Sequence, residues 1–267
     1  MDVEEAGGRV MDVEEGAGGA EVVQLLNLWA SPFAMSCAIA LNIKGVAFTY
    51  VDEDIPYQKS PLLLQSNPVY KEVPVLIHND KPVSQSLVIL EYIEEAWPPS
   101  WDAAGGAQRA ALLPGKARLN ALARFWAQYG NCKFIETGLK LMKKVGEEHE
   151  AARRDIVEQF FWFEKGLAET AAESAGGGNA GPFFFGNDCP CLPDIVMASL
   201  VSWKETYESL GAFTFPGPEQ CPRMHRWLSA MAQLPAVTPA VPDKARLLTH
   251  CTLFREAVIQ AAAAAKS

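Results

Sequence analysis

The sequence predicts an α/β thioredoxin-like N-terminal domain followed by an all-α helical domain. Three observations carry this reading. Residues 22–98 follow the order β-α-β-α-β-β-α, residues 99–110 form a Pro- and Gly-rich break, and the apolar pattern beyond has the helical period. A chain of 267 residues is long enough for two such domains.

The first strand is the apolar run at residues 22–28, with the look of a strand buried on both faces. Ser31-Pro32 then opens a helix: serine caps it, and proline at the first helical position loses no hydrogen bond. Lys44-Gly45 closes that helix, because glycine adopts the left-handed turn that ends one. Val46, Phe48 and Tyr50 alternate with Ala47, Thr49 and Val51 and predict a second strand. A short helix is expected near residues 60–65. Residues 74–78 and 81–83 flank Asn79-Asp80, which suits a tight hairpin. Residues 84–86 cap a helix that carries Ile89, Leu90, Ile93 and Trp97 on one face. A helix between the first two strands implies a right-handed parallel crossover, and the hairpin adds an antiparallel edge. Beyond the break, helices are expected near residues 108–143, 149–173, 193–210, 223–234 and 243–263, with a Gly-rich loop at 175–182. The domains are therefore read as 22–98 and 111–267, joined by a linker at 99–110.

Residues 1–21 form an acidic tail in which MDVEEAGGRV is followed by the near-duplicate MDVEEGAGGA, with Met11 as an alternative start. Its high charge and low hydrophobicity predict disorder. The tail contributes −6 of the formal charge of −9, so the remainder carries only −3. That balance argues against a nucleic-acid partner, which a basic surface would attract. No apolar run approaches the ~18 residues a membrane span needs. The start resembles neither a signal nor a transit peptide, and a cytoplasmic location follows. There the six cysteines (Cys37, Cys132, Cys189, Cys191, Cys221 and Cys251) are expected as thiols. None forms a CxxC pair and the four histidines lie far from Cys189 and Cys191 in sequence, so no metal site is expected.

Several motifs arrive in one order: Ser31-Pro32-Phe33, Asn67-Pro68-Val69, residues 73–79 (VPVLIHN), residues 86–93 (SLVILEYI), Arg124-Phe125-Trp126 and residues 234–237 (LPAV). Over roughly residues 22–255 the chain resembles the plant tau class of glutathione S-transferases. The resemblance implies the glutathione transferase fold and a homodimer. It implies glutathione as co-substrate, with no bound cofactor, and a small hydrophobic electrophile as its partner. Ser31 would be the catalytic residue, its hydroxyl donating to the glutathione thiolate while the helix N-terminus favours the charge. Val73, before a cis Pro74, would pair through its backbone with the cysteinyl unit. Ser86 would take the γ-glutamyl carboxylate at a helix N-terminus. Lys59 and Asn67 would line the same groove. Phe33, Trp126, Tyr129 and Trp203 would wall the hydrophobic pocket, although such aromatics are also ordinary core residues. Relatives that reduce mixed disulfides place a cysteine at the position of Ser31. Cys37 lies six residues further on and reads as a buried structural thiol.

Three departures from the class pattern stand out. Glu72 replaces the usual lysine that contacts the glycyl carboxylate, and Gln85 replaces the glutamate that holds the γ-glutamyl ammonium. The arginine common a few residues after Ser-Pro-Phe is also missing. A carboxylate at position 72 costs on the order of 1–3 kcal/mol in glutathione binding. Gln85 costs about 1 kcal/mol more, and together they weaken binding by roughly tenfold to a thousandfold. The function read from the sequence is therefore conjugation of glutathione to hydrophobic electrophiles. A weakly active ligand carrier of the same fold is the alternative.

Overall fold

The computed structural model describes residues 21–55, 58–101, 107–175 and 181–264. Of the tail predicted at 1–21, residues 1–20, with Met11, lie outside the described residues, as does most of the Gly-rich loop, whereas Glu21 is placed, its carboxylate accepting from Trp97 Nε1 at 3.2 Å.

Strand β1 (Val23–Asn27) runs into helix α1 (Pro32–Lys44), which ends at Gly45 with φ of 66°. Strand β2 (Thr49–Asp52) pairs parallel with β1, as the crossover requires. It begins three residues later than the alternation suggested and is mostly exposed, because it is a sheet edge with one neighbour. Helix α2 (Pro61–Ser66) is capped by Ser60, and Glu53 receives both the N–H and the hydroxyl of that serine. Strands β3 (Val75–His78) and β4 (Lys81–Ser84) form the expected hairpin, with Asn79 and Asp80 both at positive φ. The sheet order is β2-β1-β3-β4, and β3 runs antiparallel to β1. Helix α3 (Ser86–Ala96) buries Ile89, Leu90 and Ile93 against α1, as the periodicity predicts.

The expected linker carries structure of its own. Strands β5 (Ser100–Trp101) and β6 (Ala107–Arg109) pair antiparallel within it. Two short strands around glycines give too little alternation to read. The first helix beyond also starts later than expected: α4 (Ala117–Tyr129) continues through a π-helical turn (Gly130–Ile135) into α5 (Glu136–Lys143). Then follow α6 (Glu147–Ala175), α7 (Leu192–Met197), α8 (Leu200–Gly211), α9 (Pro222–Gln233) and α10 (Lys244–Ala264).

Asp194, at the start of α7, is fully buried and organises this helical part. Its carboxylate accepts from Cys191 N (2.8 Å), Phe184 N (3.1 Å), Trp227 Nε1 (2.7 Å) and the Cys191 thiol (3.1 Å). One side chain thus caps α7, fixes the turn at Phe184 and anchors α9. Burial pushes the Asp194 carboxyl up to about 6, and its donors offset only part of that rise.

A carboxyl raised above its unfolded value binds its proton more tightly in the native state. Its contribution is full below about pH 4 and is lost as pH rises through about 6, by on the order of 3 kcal/mol. Urea unfolding from pH 4 to 7 should show this loss in the wild type. Asp194→Asn, already destabilised by losing a strong acceptor, should lack that part of the pH slope.

Candidate active site

The turn between β1 and α1 places Ser31 at the foot of a cleft of about 400 Å³. One wall comes from the sheet domain: Leu28, Ala30, Ser31, Pro32, Phe33, Ile55, Glu72 and Val73. The other comes from Glu136, Leu139, Met142 and Lys143 on α5, Trp203 on α8, and His250, Cys251 and Phe254 on α10. A mostly apolar lining with a few polar groups is the usual make-up of a small-molecule site.

Ser31 caps α1, with its Oγ accepting from Ala34 N at 3.3 Å. Only 7% of the residue is exposed, and among the described residues its hydroxyl proton has no acceptor. The capping role and a donor role are thus compatible, since one uses a lone pair and the other the proton. The Val73–Pro74 peptide is cis. Neither the N–H nor the C=O of Val73 is engaged among the described residues, which leaves a short free edge beside Ser31. Asn67 braces the loop leading there: Nδ2 donates to Glu72 O (2.9 Å) and Oδ1 accepts from Tyr70 N (3.2 Å).

Glu72 lies on the cleft wall with its side chain exposed, and no cation stands within 4 Å among the described residues. Ser86 is buried at the N-terminus of α3 and donates to Asn131 Oδ1 at 3.2 Å, across from the π-helical turn. Gln85 before it is exposed and holds φ of 79°, a conformation a non-glycine residue rarely keeps without surrounding support.

The structure thus brings Ser31, Phe33, Glu72, Val73 and Trp203 together. Pro74 follows directly, and Asn67 acts through the loop. Lys59, Gln85 and Ser86 do not line the cleft: Lys59 is an exposed residue before α2, Gln85 is exposed, and Ser86 is buried with its hydroxyl engaged by Asn131. Trp126 and Tyr129 correct the sequence expectation. Their rings pack on each other and on Phe163, inside the helical part and away from the cleft. Gly166 leaves the room for this, since a Cβ there would sit 2.6 Å from the Trp126 indole. The α4 periodicity turns both aromatics toward α6. Sequence reasoning missed Asn131, Leu139, Met142, Lys143, His250 and Phe254. The cleft residues follow from where α5 and α10 dock and Asn131, beside Ser86, from the π-helical turn, none of which a local motif records. A second cleft of about 230 Å³ lies beyond Trp29, between Asn27, Tyr50 and Arg246, and holds none of the predicted residues.

Cys37 is fully buried, its thiol donating to Phe33 O and Ser86 O, and desolvation pushes it up to about 12. It is a structural thiol and no thiolate nucleophile. Cys251, on the cleft wall, is also pushed up to about 12 by burial.

A cis-proline edge facing a helix N-terminus, closed by a helical domain, defines a glutathione S-transferase, and the chain belongs to that family. The glutathione S-transferase N-terminal domain model matches residues 21–95. Glutathione S-transferase 3 of Glycine max is 34% identical over 83% of this chain and 90% of its own length. Within the family this is a tau-class chain. The tau-class glutathione S-transferase of mango (Mangifera indica) superposes with a TM-score of 0.73 at 32% identity, covering 87% of this chain and 98% of the other. A rice enzyme of the family, solved in complex with glutathione, gives a TM-score of 0.74 at 32% identity over 90% and 98% of the two chains.

Among the described residues only Cys132 and Cys189 are exposed thiols. A disulfide reagent should therefore titrate two thiols in the native protein and six after denaturation. Rapid modification of a third would show that one of the buried thiols, Cys37, Cys191, Cys221 or Cys251, opens to solvent.

Proposed function

We propose that this chain conjugates glutathione to small hydrophobic electrophiles, with Ser31 as the catalytic residue. The observation that carries the reading is the free Ser31 hydroxyl at a helix N-terminus, beside the unpaired backbone of Val73. A peptide thiol with a pKa near 8.5 is mostly protonated at neutral pH. A hydroxyl donor and the positive end of the helix dipole both favour the thiolate, and the proton leaves to water. The sulfur then attacks the electrophilic carbon; a carbon–sulfur bond forms as the bond to the leaving group breaks.

The cysteinyl unit pairs with Val73, and the γ-glutamyl carboxylate meets Ser86 at the start of α3. Phe33, Leu139, Met142, Trp203 and Phe254 offer the apolar surface against which the electrophile desolvates. Lys59 and Gln85 contribute at most at the rim, given their exposure. Trp126 and Tyr129 support the helical wall from behind. The open groove and the available Ser31 proton support the transferase over the carrier alternative.

The protein acts in the cytosol as a homodimer in this reading. Among the described residues no helix is long and apolar enough to cross a membrane. Leu62, Leu64, Val69 and Tyr70 expose apolar surface around α2, and a second copy would bury it.

Ser31→Ala should lower kcat/KM for an aryl halide by about 10²–10³, the usual loss of one oriented donor to a developing anion. It should also move the pH–rate profile to higher pH, because the bound thiol would ionise later. A wild-type rate and profile would remove Ser31 from the mechanism. Light scattering should give twice the chain mass, and Tyr70→Glu should shift the population toward monomer.

A further inference from the structure

Helix α10 reaches the turn that carries Ser31 through a stack of three side chains outside the floor of the cleft. The helix itself packs on α8 and α5, with Leu247 and Cys251 buried and Lys244 Nζ paired to Glu205 at 2.7 Å. Arg246 and His250, one helical turn apart, both meet Trp29. The Arg246 guanidinium carbon lies 4.1 Å from the centroid of the Trp29 ring, and the His250 ring approaches the same indole edge-on at 5.2 Å. Trp29 stands two residues before Ser31, in the turn between β1 and α1. No carboxylate lies within 4 Å of the Arg246 guanidinium among the described residues, so the ring is the group it engages. Openings border the stack on three sides. The cleft reaches His250, the second cleft of about 230 Å³ reaches Trp29 and Arg246, and a groove of about 520 Å³ is lined by all three together with Thr249 and Leu253. Where packing is interrupted in this way, a single contact carries a load that a filled core would share among many.

We infer that Arg246 is a positioning residue: stacked on Trp29, it fixes how far the α10 wall stands from Ser31 and so sets the width of the electrophile that the cleft accepts. The inference rests on the transferase reading and deepens it to a choice among electrophiles by size. Arg246 lies outside the cleft lining and acts through its helix, which carries His250, Cys251 and Phe254 into that lining. A guanidinium is held over the negative face of an indole, an ammonium at the same place is held likewise, and a methyl group is not. Without that hold the start of α10 is free to move away from the β1–α1 turn. A narrow electrophile then loses apolar surface against which it desolvates, while a wide one gains room.

The test uses the full chain, glutathione and two electrophiles that lose chloride from the same kind of benzylic carbon, the narrow benzyl chloride and a wide chloromethylanthracene. In Arg246→Ala the ratio of kcat/KM for the wide to the narrow compound should rise by about two- to fivefold, the scale of one exposed cation–π contact. The change should sit in KM for the electrophile rather than in kcat. Arg246→Lys should restore the wild-type ratio, which a loss of packing alone would not predict. Trp29→Leu should change the ratio in the same direction, and adding Arg246→Ala to it should change the ratio no further, because the two side chains act as one contact. An unchanged ratio in Arg246→Ala overturns the inference, and so does an equal loss for both compounds, failure of lysine to restore the ratio, or additive effects in the double variant. Each of these leaves the transferase reading standing, since the wild type still conjugates. A wild type that conjugates neither compound defeats the transferase reading and the inference with it.

Discussion

The shape of the cleft depends on how the helical part is held against the sheet domain, and a line of buried polar groups does this. Lys44, at the end of α1, is 0% exposed and donates to Glu94 Oε2 on α3 at 2.5 Å. The same oxygen accepts from Leu112 N at 3.1 Å, where the chain enters the helical part. Leu112 O in turn accepts from Leu192 N at 2.7 Å, at the start of α7. Two residues later Asp194 ties α7 to Phe184 and α9. A buried pair such as Lys44–Glu94 adds little net stability, because desolvation offsets the attraction. Its geometry is nonetheless demanding: an ammonium deprived of its carboxylate in that interior is strongly unfavourable, so other dockings of the two parts are disfavoured. One wall of the cleft lies on each side of this joint. Shifting the joint would separate Ser31 from Trp203 and Phe254.

The sheet domain was legible in the sequence because its rules are local. Ser31-Pro32 and Gly45 mark the limits of α1, Asn79-Asp80 sets the hairpin, and the spacing of Ile89, Leu90 and Ile93 gives the face of α3. Val73-Pro74 was legible for the same reason, since a proline opening a central strand restricts what the backbone can do. The boundaries that were missed have a shared cause. The strands β5 and β6 are too short to alternate, and the π-helical turn at Gly130–Ile135 keeps the helical pattern while shifting its phase. Gly130 admits that turn against α7: a Cβ there would lie 3.1 Å from Met197 Sδ.

The site was legible in proportion to how far each residue acts through its own backbone. Ser31 and Val73 lie where a helix start and a strand end put them, and both came from motifs. Trp126, Tyr129 and Trp203 are all aromatic residues at helical spacing, which gives no means of telling wall from core. Only the docking of α4 against α6, and of α8 against α5 and α10, separates them. Asn131 was invisible because its contact to Ser86 spans 45 positions and depends on the π-helical phase shift. Asn67 was found, yet its work is indirect: both ends of its amide are used in shaping the 67–72 loop.

Two parts of the site therefore differ in how freely sequence change can alter them. The Ser31 side of the cleft is made from a helix terminus, one hydroxyl and an unpaired backbone edge, none of which depends on a distant side-chain charge. The Glu72 side depends on an individual side chain at an exposed position, where substitutions cost the fold little. Glu72 is such a position, because its backbone C=O is held by Asn67 whatever its side chain. A lysine or a glutamate can stand there with the loop unchanged, while the charge on the cleft wall changes by two units.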